Sequence, residues 1–113
     1  MDKFIEKATV LIEALPFIQQ FRGDTVVVKF GGSIMESEEG YRRILQDIAF
    51  MECVGLRPVL VHGGGKAISR SMKEAGIAPN FVHGLRVTDE ATIRVVEQVL
   101  NHEVNPHLVE IIQ

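Results

Sequence analysis

The run Pro58 to Lys66, Pro-Val-Leu-Val-His-Gly-Gly-Gly-Lys, constrains the fold more than any other stretch of the chain. It begins as a short apolar segment with the composition of a strand buried on both faces, then becomes three consecutive glycines. Glycine loses more backbone freedom on ordering than any other residue, so three in a row call for a compensating interaction. A backbone without Cβ atoms lets an anion approach its N–H groups, and a helix starting just after the loop adds its positive dipole end. The stretch predicts an anion-binding loop.

The flanking segments place that loop in an α/β sheet. Thr25 to Phe30, Thr-Val-Val-Val-Lys-Phe, is β-branched and nearly all apolar, which suggests a central parallel strand. Lys29 interrupts it, and a buried ammonium is costly without a partner, so this side chain must reach solvent or an anion. A second glycine loop, Gly31-Gly32-Ser33, follows at once. From Tyr41 to Val54 the residues Tyr41, Ile44, Leu45, Ile48, Met51 and Val54 keep helical spacing, with Gly55 as a C-terminal cap. With the strand Val59 to Val61 this makes a βαβ unit of right-handed crossover, so both glycine loops fall on one edge of the sheet. Open α/β sheets place their ligands at that edge.

Further along, Ala67 to Ala75 reads as a short helix stopped by Gly76, with its N-terminus facing any bound anion. Phe81 to Val87 predicts a strand, a turn and a strand, with Arg86 on the outgoing arm. Thr88 or Asp89 caps a helix carrying Ile93, Val96, Val99 and Leu100. Asn105-Pro106 predicts a break and a new helix containing Leu108, Ile111 and Ile112. The run Glu36 to Glu39 reads as a solvated loop and helix start.

At the other end, Asp2 to Leu15 places Phe4, Ala8, Leu11 and Leu15 on one stripe of an amphipathic helix, and Pro16 limits its regular continuation before the turn Arg22-Gly23-Asp24. This helix lies outside the βαβ pattern, and either packing on its own domain or an oligomer contact fits its large apolar side chains. The chain thus divides into residues 1–22 and 23–113.

With 113 residues, 46% of them hydrophobic, one modest core is expected. A formal net charge of −3 gives no electrostatic reason to invoke nucleic acid or an anionic membrane, and no apolar run approaches the roughly 20 residues that span a bilayer. The single cysteine, Cys53, sits in an apolar helical pattern, so burial and a reducing cytoplasmic compartment are expected.

Common nucleotide motifs fail on these loops. A Walker A loop would need glycine where Leu60 stands and Ser or Thr where Ala67 stands, and a dinucleotide fingerprint would need a small residue in place of Ile68. No catalytic elbow of the Gly-x-Ser-x-Gly type, zinc-ligand spacing or Cys/His pair is present, and no metal ligand is assigned. What remains is a two-loop phosphate cradle with Lys29 beside it.

Three separated motifs, Val-Val-Lys-Phe-Gly-Gly-Ser at 27–33, Val-His-Gly-Gly-Gly at 61–65 and Gly-Leu-Arg-Val-Thr-Asp at 84–89, resemble the amino acid kinase family, within it the branch that phosphorylates N-acetyl-L-glutamate. The resemblance runs from about residue 10 to about residue 100. It implies an α/β three-layer sandwich with a mainly parallel central sheet, of which this chain is the N-terminal half preceded by a helix. The implied reaction moves the γ-phosphoryl group of ATP, with Mg2+, onto the side-chain carboxylate of N-acetyl-L-glutamate, the second step of arginine biosynthesis. By the same resemblance Lys29 stabilises the moving phosphoryl group and Gly32 and Gly64 hold its oxygens. Gly64 and Gly65 also bind substrate, and Arg86 grips the α-carboxylate through bidentate geometry. The N-terminal segment Leu-Ile-Glu-Ala-Leu-Pro-Phe-Ile at 11–18 resembles the extension that interlaces dimers into hexamers in arginine-inhibited members, implying a homo-oligomer.

Two residues depart from the family pattern: His83 stands where asparagine is expected, and Lys66 replaces a proline or neutral residue. For His62 an orienting role and a satisfied core position both fit, while His102 and His107 read as solvent-facing. Family members are roughly two to three times longer, so the adenine site, a second catalytic lysine and an organising aspartate are expected beyond residue 113. The expectation is a substrate-side fragment without turnover of its own. The competing readings are a non-catalytic module that binds an acylated amino acid, and a related synthase group in which the lysine and triple glycine are typically altered.

Overall fold

The computed structural model describes residues 1–113, the side chain of Ser33 excepted. The elements follow in the order α1 (Asp2–Phe21), β1 (Thr25–Phe30), a 3-10 turn (Gly32–Glu36), α2 (Glu38–Cys53), β2 (Arg57–His62), α3 (Gly65–Glu74), β3 (Phe81–Val82), β4 (Leu85–Arg86), α4 (Glu90–Val99), a π turn (Leu100–Val104) and α5 (Asn105–Ile112). Strands β1 and β2 are parallel, with Thr25 opposite Arg57 and Phe30 opposite His62. Their glycine loops therefore leave the same edge, as the βαβ reading requires.

The crossover helix α2 is fixed at both ends. The Ser37 hydroxyl accepts from the Gly40 N–H at 3.2 Å. At the other end Gly55 takes φ +98°, where the Gly55 N–H bonds the Glu52 carbonyl and the Leu56 N–H bonds that of Met51. Only glycine enters that left-handed position without a Cβ penalty, so the helix stops where the sequence says it should. Gly76, at φ +73°, ends α3 by the same pattern.

The core lies on one face of the strand pair. Phe30 contributes from β1, Tyr41, Leu45 and Ile48 from α2, Ile68 and Met72 from α3, and Val99, Val104 and Leu108 from the C-terminal helices. Phe30 is 2% exposed and meets Tyr41 edge to face, ring centroids 5.0 Å apart and planes at 88°. The other face carries Val27, Val59 and Val61, all exposed. The expectation of strands covered on both faces is thus corrected. Both strands alternate exposed side chains with half-buried or, at Phe30, buried ones, because the helices of this chain pack on one side only.

Three further expectations change. Helix α1 does not stop at Leu15 but runs through Pro16 to Phe21, closing on the Arg22 N–H to the Ile18 carbonyl at 2.9 Å. The Ile12 carbonyl that Pro16 leaves without a donor sits on an exposed turn, open to solvent, and propagating a formed helix is inexpensive. No residue of α1 is buried, so it does not pack on its own domain. Cys53 is exposed rather than buried, since the inward stripe of α2 is Tyr41, Leu45 and Ile48, and a residue five beyond Ile48 turns well off it. Finally, the chain does not break at Asn105-Pro106. The Asn105 N–H bonds the Leu100 carbonyl, five residues back, and the backbone stays right-handed helical throughout. The widened turn re-phases the ladder just ahead of the residue that has no N–H.

Asp89, at the start of α4, accepts the Thr92 N–H at 2.8 Å. Hydrogen bonds from the Thr92 side chain and then its backbone hold the Asp89 carboxyl below the usual carboxylate range. A carboxyl with a depressed folded pKa contributes stability that is complete above the unfolded value of about 4 and is lost as pH falls through the folded value. An Asp89→Ala chain should therefore melt below the parent at pH 7, with the gap narrowing under acid below that window. Thermal melts at pH 7 and pH 2.5 check this, and a pH-independent gap would refute it.

Candidate functional site

Past the last pair of the ladder, the Gly63 N–H still donates to the Phe30 carbonyl at 3.0 Å, so the two glycine loops start zipped together. Gly32 adopts φ +69°, which turns the first loop across the strand ends. The second loop leads into α3 with Gly64 as its N-cap and no capping side chain. The first helical bond is the Ile68 N–H to the Gly64 carbonyl at 2.8 Å. The N–H groups of Gly65, Lys66 and Ala67 are left without intrahelical acceptors, as geometry demands of any first turn. All three residues line a cleft of about 1080 Å³, shared with Gly32, Gly64 and Arg86 among others.

The glycines differ in what they tolerate. A Cβ on Gly64 would lie 2.8 Å from Leu100 Cδ2 and 3.4 Å from Val104 Cγ2, whereas one on Gly65 would meet nothing within 4 Å. A side chain on Gly64 would thus have to displace the Leu100 methyl of the π turn packed against it, while Gly65 is free of its neighbours. Overpacking of this size costs on the order of 1–3 kcal/mol. Gly64→Ala is expected to lower the denaturation midpoint, and Gly65→Ala, placed in a helix, to leave it equal or higher. Equal losses in urea melts of both variants would refute the packing account.

Arg86 is the most fully held side chain of the cleft. Its Nη2 donates to Ser69 Oγ at 2.8 Å and to the Gly65 carbonyl at 3.2 Å, and Nη1 lies 3.1 Å from Met72 Sδ. Its guanidinium carbon stands 4.6 Å from the centre of the Phe81 ring. Strands β3 and β4 make this possible: the two-residue turn at His83 (φ +51°) and Gly84 (φ +78°) sets Phe81 opposite Arg86. His83 supports the turn despite departing from asparagine.

Charge bookkeeping singles Arg86 out again. Among the described residues, Lys66 pairs with Glu36, Arg70 with Glu103, and Glu38 with Arg42. Arg86 has only neutral acceptors. It is the lining cation whose charge is not already matched by a carboxylate. Tyr41 completes the floor, its phenol held neutral by burial, which pushes its pKa up, with the exposed His107 ring 5.6 Å away.

Of the residues singled out by sequence, Gly32, Gly64, Gly65 and Arg86 come together in this cleft. Lys29 does not line it. It is exposed on the uncovered face of β1, opposite Val61 in register. His62 is half-buried: its Nε2 stands 3.1 Å from Asn105 Nδ2 and its Nδ1 3.1 Å from the Gly63 carbonyl, tying the second loop to α5. Ser69, Phe81 and Met72, which hold Arg86, were not legible beforehand. The one available signal was that Ser69 stands four residues after Gly65, one helical turn from the loop.

A parallel βαβ unit with two glycine loops on one sheet edge and an uncompensated arginine between them defines the class, and residues 24–112 match the amino acid kinase family. The chain belongs to that family. Among its relatives it is 50% identical over 113 residues to the acetylglutamate kinase of Carboxydothermus hydrogenoformans, covering 100% of this chain and 38% of the relative. It is 52% identical over 108 residues to that of Thermoanaerobacter sp. strain X514, covering 96% and 36%. The chain therefore spans less than half the length of the curated relatives it matches. Among solved structures, N-acetylglutamate synthase from Neisseria gonorrhoeae, complexed with coenzyme A and N-acetyl-glutamate, superposes with a TM-score of 0.76 at 30% identity, over 93% of this chain and 24% of that one. The protein smu.665 from Streptococcus mutans UA159 superposes at 0.68 and 32% identity, over 78% and 35%. The fold is amino acid kinase-like α/β.

Proposed function

We propose that the chain is the substrate-side part of an acetylglutamate kinase, which passes the γ-phosphoryl group of ATP to the side-chain carboxylate of N-acetyl-L-glutamate. The observation that carries this reading is the uncompensated Arg86 beside Gly32, Gly64 and Gly65 in one cleft. A carboxylate oxygen attacks the γ-phosphorus, the bond from that phosphorus to the β,γ-bridging oxygen breaks, and ADP leaves with the electron pair. Such a transfer depends on alignment and charge cancellation, which N–H groups at Gly32 and Gly64 and the first turn of α3 can supply. Three of the five guanidinium N–H groups of Arg86 are committed within the chain, and exchange of the longest contact to oxygen, Nη2 to the Gly65 carbonyl at 3.2 Å, frees a two-donor edge for the substrate's α-carboxylate. Lys29, two residues before the first loop, is assigned to charge on the moving phosphoryl group, reached from the uncovered face of the sheet.

Most of the nucleotide would be held by residues beyond 113. Mg2+ would accompany the ATP phosphates and be held with them; among the described residues no group of three or more possible metal ligands is found. The kinase reading is favoured over the synthase one by about 50% identity to kinases against 30% to the synthase. Residues 1–22 form an oligomer-contact helix, as the exposed Phe4, Leu11 and Phe17 suggest, giving a dimer or hexamer, and residues 23–113 form the substrate part. No described helix is long and apolar enough to cross a membrane, and the single thiol suits the cytoplasm.

Titration of the 113-residue chain with N-acetyl-L-glutamate, with and without ATP, tests the reading. Binding is expected, and capture of acyl phosphate with hydroxylamine should detect no turnover. Failure to bind would overturn the assignment, and ordinary turnover would overturn the fragment's inactivity.

A further inference from the structure

Arg86 comes from a two-residue strand, a weak base for a recognition group, since β3 and β4 are joined by a single short turn. Its precision has to be imported from elsewhere. The contacts supply it from α3: Ser69 Oγ at 2.8 Å and the Gly65 carbonyl at 3.2 Å share Nη2, and Met72 Sδ takes Nη1 at 3.1 Å. Met72 is 1% exposed and cannot shift without disturbing the core. Phe81 closes one face of the guanidinium plane at 4.6 Å. Ser69 differs from the other holders in being a polar side chain that lines the cleft itself. It rises from the helix whose first turn follows the glycine loop, so it couples the direction of the arginine to the position of that loop.

We propose that Ser69 is a positioning residue that sets the selectivity of the cleft for an α-carboxylate, by fixing which two N–H groups of Arg86 face the ligand. This rests on the assignment of Arg86 to substrate binding. With one Nη2 hydrogen held by Ser69 at 2.8 Å, an arriving carboxylate takes the other from the longer 3.2 Å contact with the Gly65 carbonyl, together with the N–H beside it on the same edge, two donors for its two oxygens. Without the Ser69 oxygen, Nη2 regains a free N–H and the group can turn about its stem, so recognition spreads to neutral acceptors. Selectivity lost in this way is a difference of affinities, not a general weakening.

The test has two arms on the 113-residue chain. Nitrogen-15 spectra of the arginine side chain, without ligand, should show Nη rotation about Cζ restrained in the parent, faster in Ser69→Ala and restored in Ser69→Thr. In titrations, the parent should prefer N-acetyl-L-glutamate over its α-carboxamide analogue by about tenfold or more, corresponding to one lost charge-assisted hydrogen bond. Ser69→Ala should reduce that ratio at least threefold with an unchanged melting midpoint, and Ser69→Thr should regain it. An unaltered ratio or unaltered rotation in Ser69→Ala overturns the positioning role while leaving the function of Arg86 intact. Absence of binding in the parent overturns the underlying assignment instead, and the spectra then report on the clamp alone.

Discussion

Arg86→Ala is expected to weaken N-acetyl-L-glutamate binding by about 100-fold. Two charge-assisted hydrogen bonds at roughly 1.5 kcal/mol each come to about 3 kcal/mol, or two decades in affinity. Every other lining cation of the cleft is already matched by a carboxylate, so none can substitute without first breaking an ion pair. Arg86→Lys should recover only part of the loss, because an ammonium cannot reproduce the planar donor set that meets Ser69, Gly65 and Phe81 at once. Calorimetric titration of both variants, with circular dichroism to confirm folding, provides the check. A folded Arg86→Ala chain that binds within threefold of the parent would remove Arg86 from the site.

The largest stability effect should come from Phe30→Ala, at about 3–5 kcal/mol. That is a large part of the 5–15 kcal/mol typical of a whole domain. Phe30 is among the most buried side chains, packs edge to face on Tyr41, and carries the carbonyl that zips the two glycine loops through Gly63. Its loss should loosen core and cleft together. Phe30→Leu, which keeps most of the volume, should cost less than about 1.5 kcal/mol. Urea titrations followed by circular dichroism measure both, and equal costs for the two variants would show that the ring and its cavity are not what holds this corner.

The difference between these two residues illustrates how much of the molecule can be read without coordinates. Phe30 closes a β-branched run just before a glycine pair, and its place at the end of a strand followed from periodicity and turn chemistry. The capping glycines Gly55 and Gly76 were equally legible, since a left-handed C-terminal position is a local demand that one residue type meets without strain. Misreadings occurred where local rules met tertiary context. Pro16 and Pro106 both argue for breaks, yet in one case the lost bond falls on an exposed turn and in the other a π turn absorbs it. Cys53 looked apolar enough for burial, but the phase of α2 was set by Tyr41, Leu45 and Ile48.

The glycine loops, their shared sheet edge and the presence of an arginine nearby were determined by sequence alone, because they follow from strand order, parallel pairing and short connections. Only the tertiary structure decided which cation is free. Lys66 and Arg70 resemble Arg86 in type, and nothing local in the sequence says that Glu36 and Glu103 engage the first two while Ser69, Met72 and Phe81 hold the third. Those partners lie 5 to 33 residues away and are brought together by packing, on which one-dimensional spacing is silent. The same holds for Gly64, where the crowding of an added side chain comes not from its own backbone angles but from Leu100 and Val104 of the π turn.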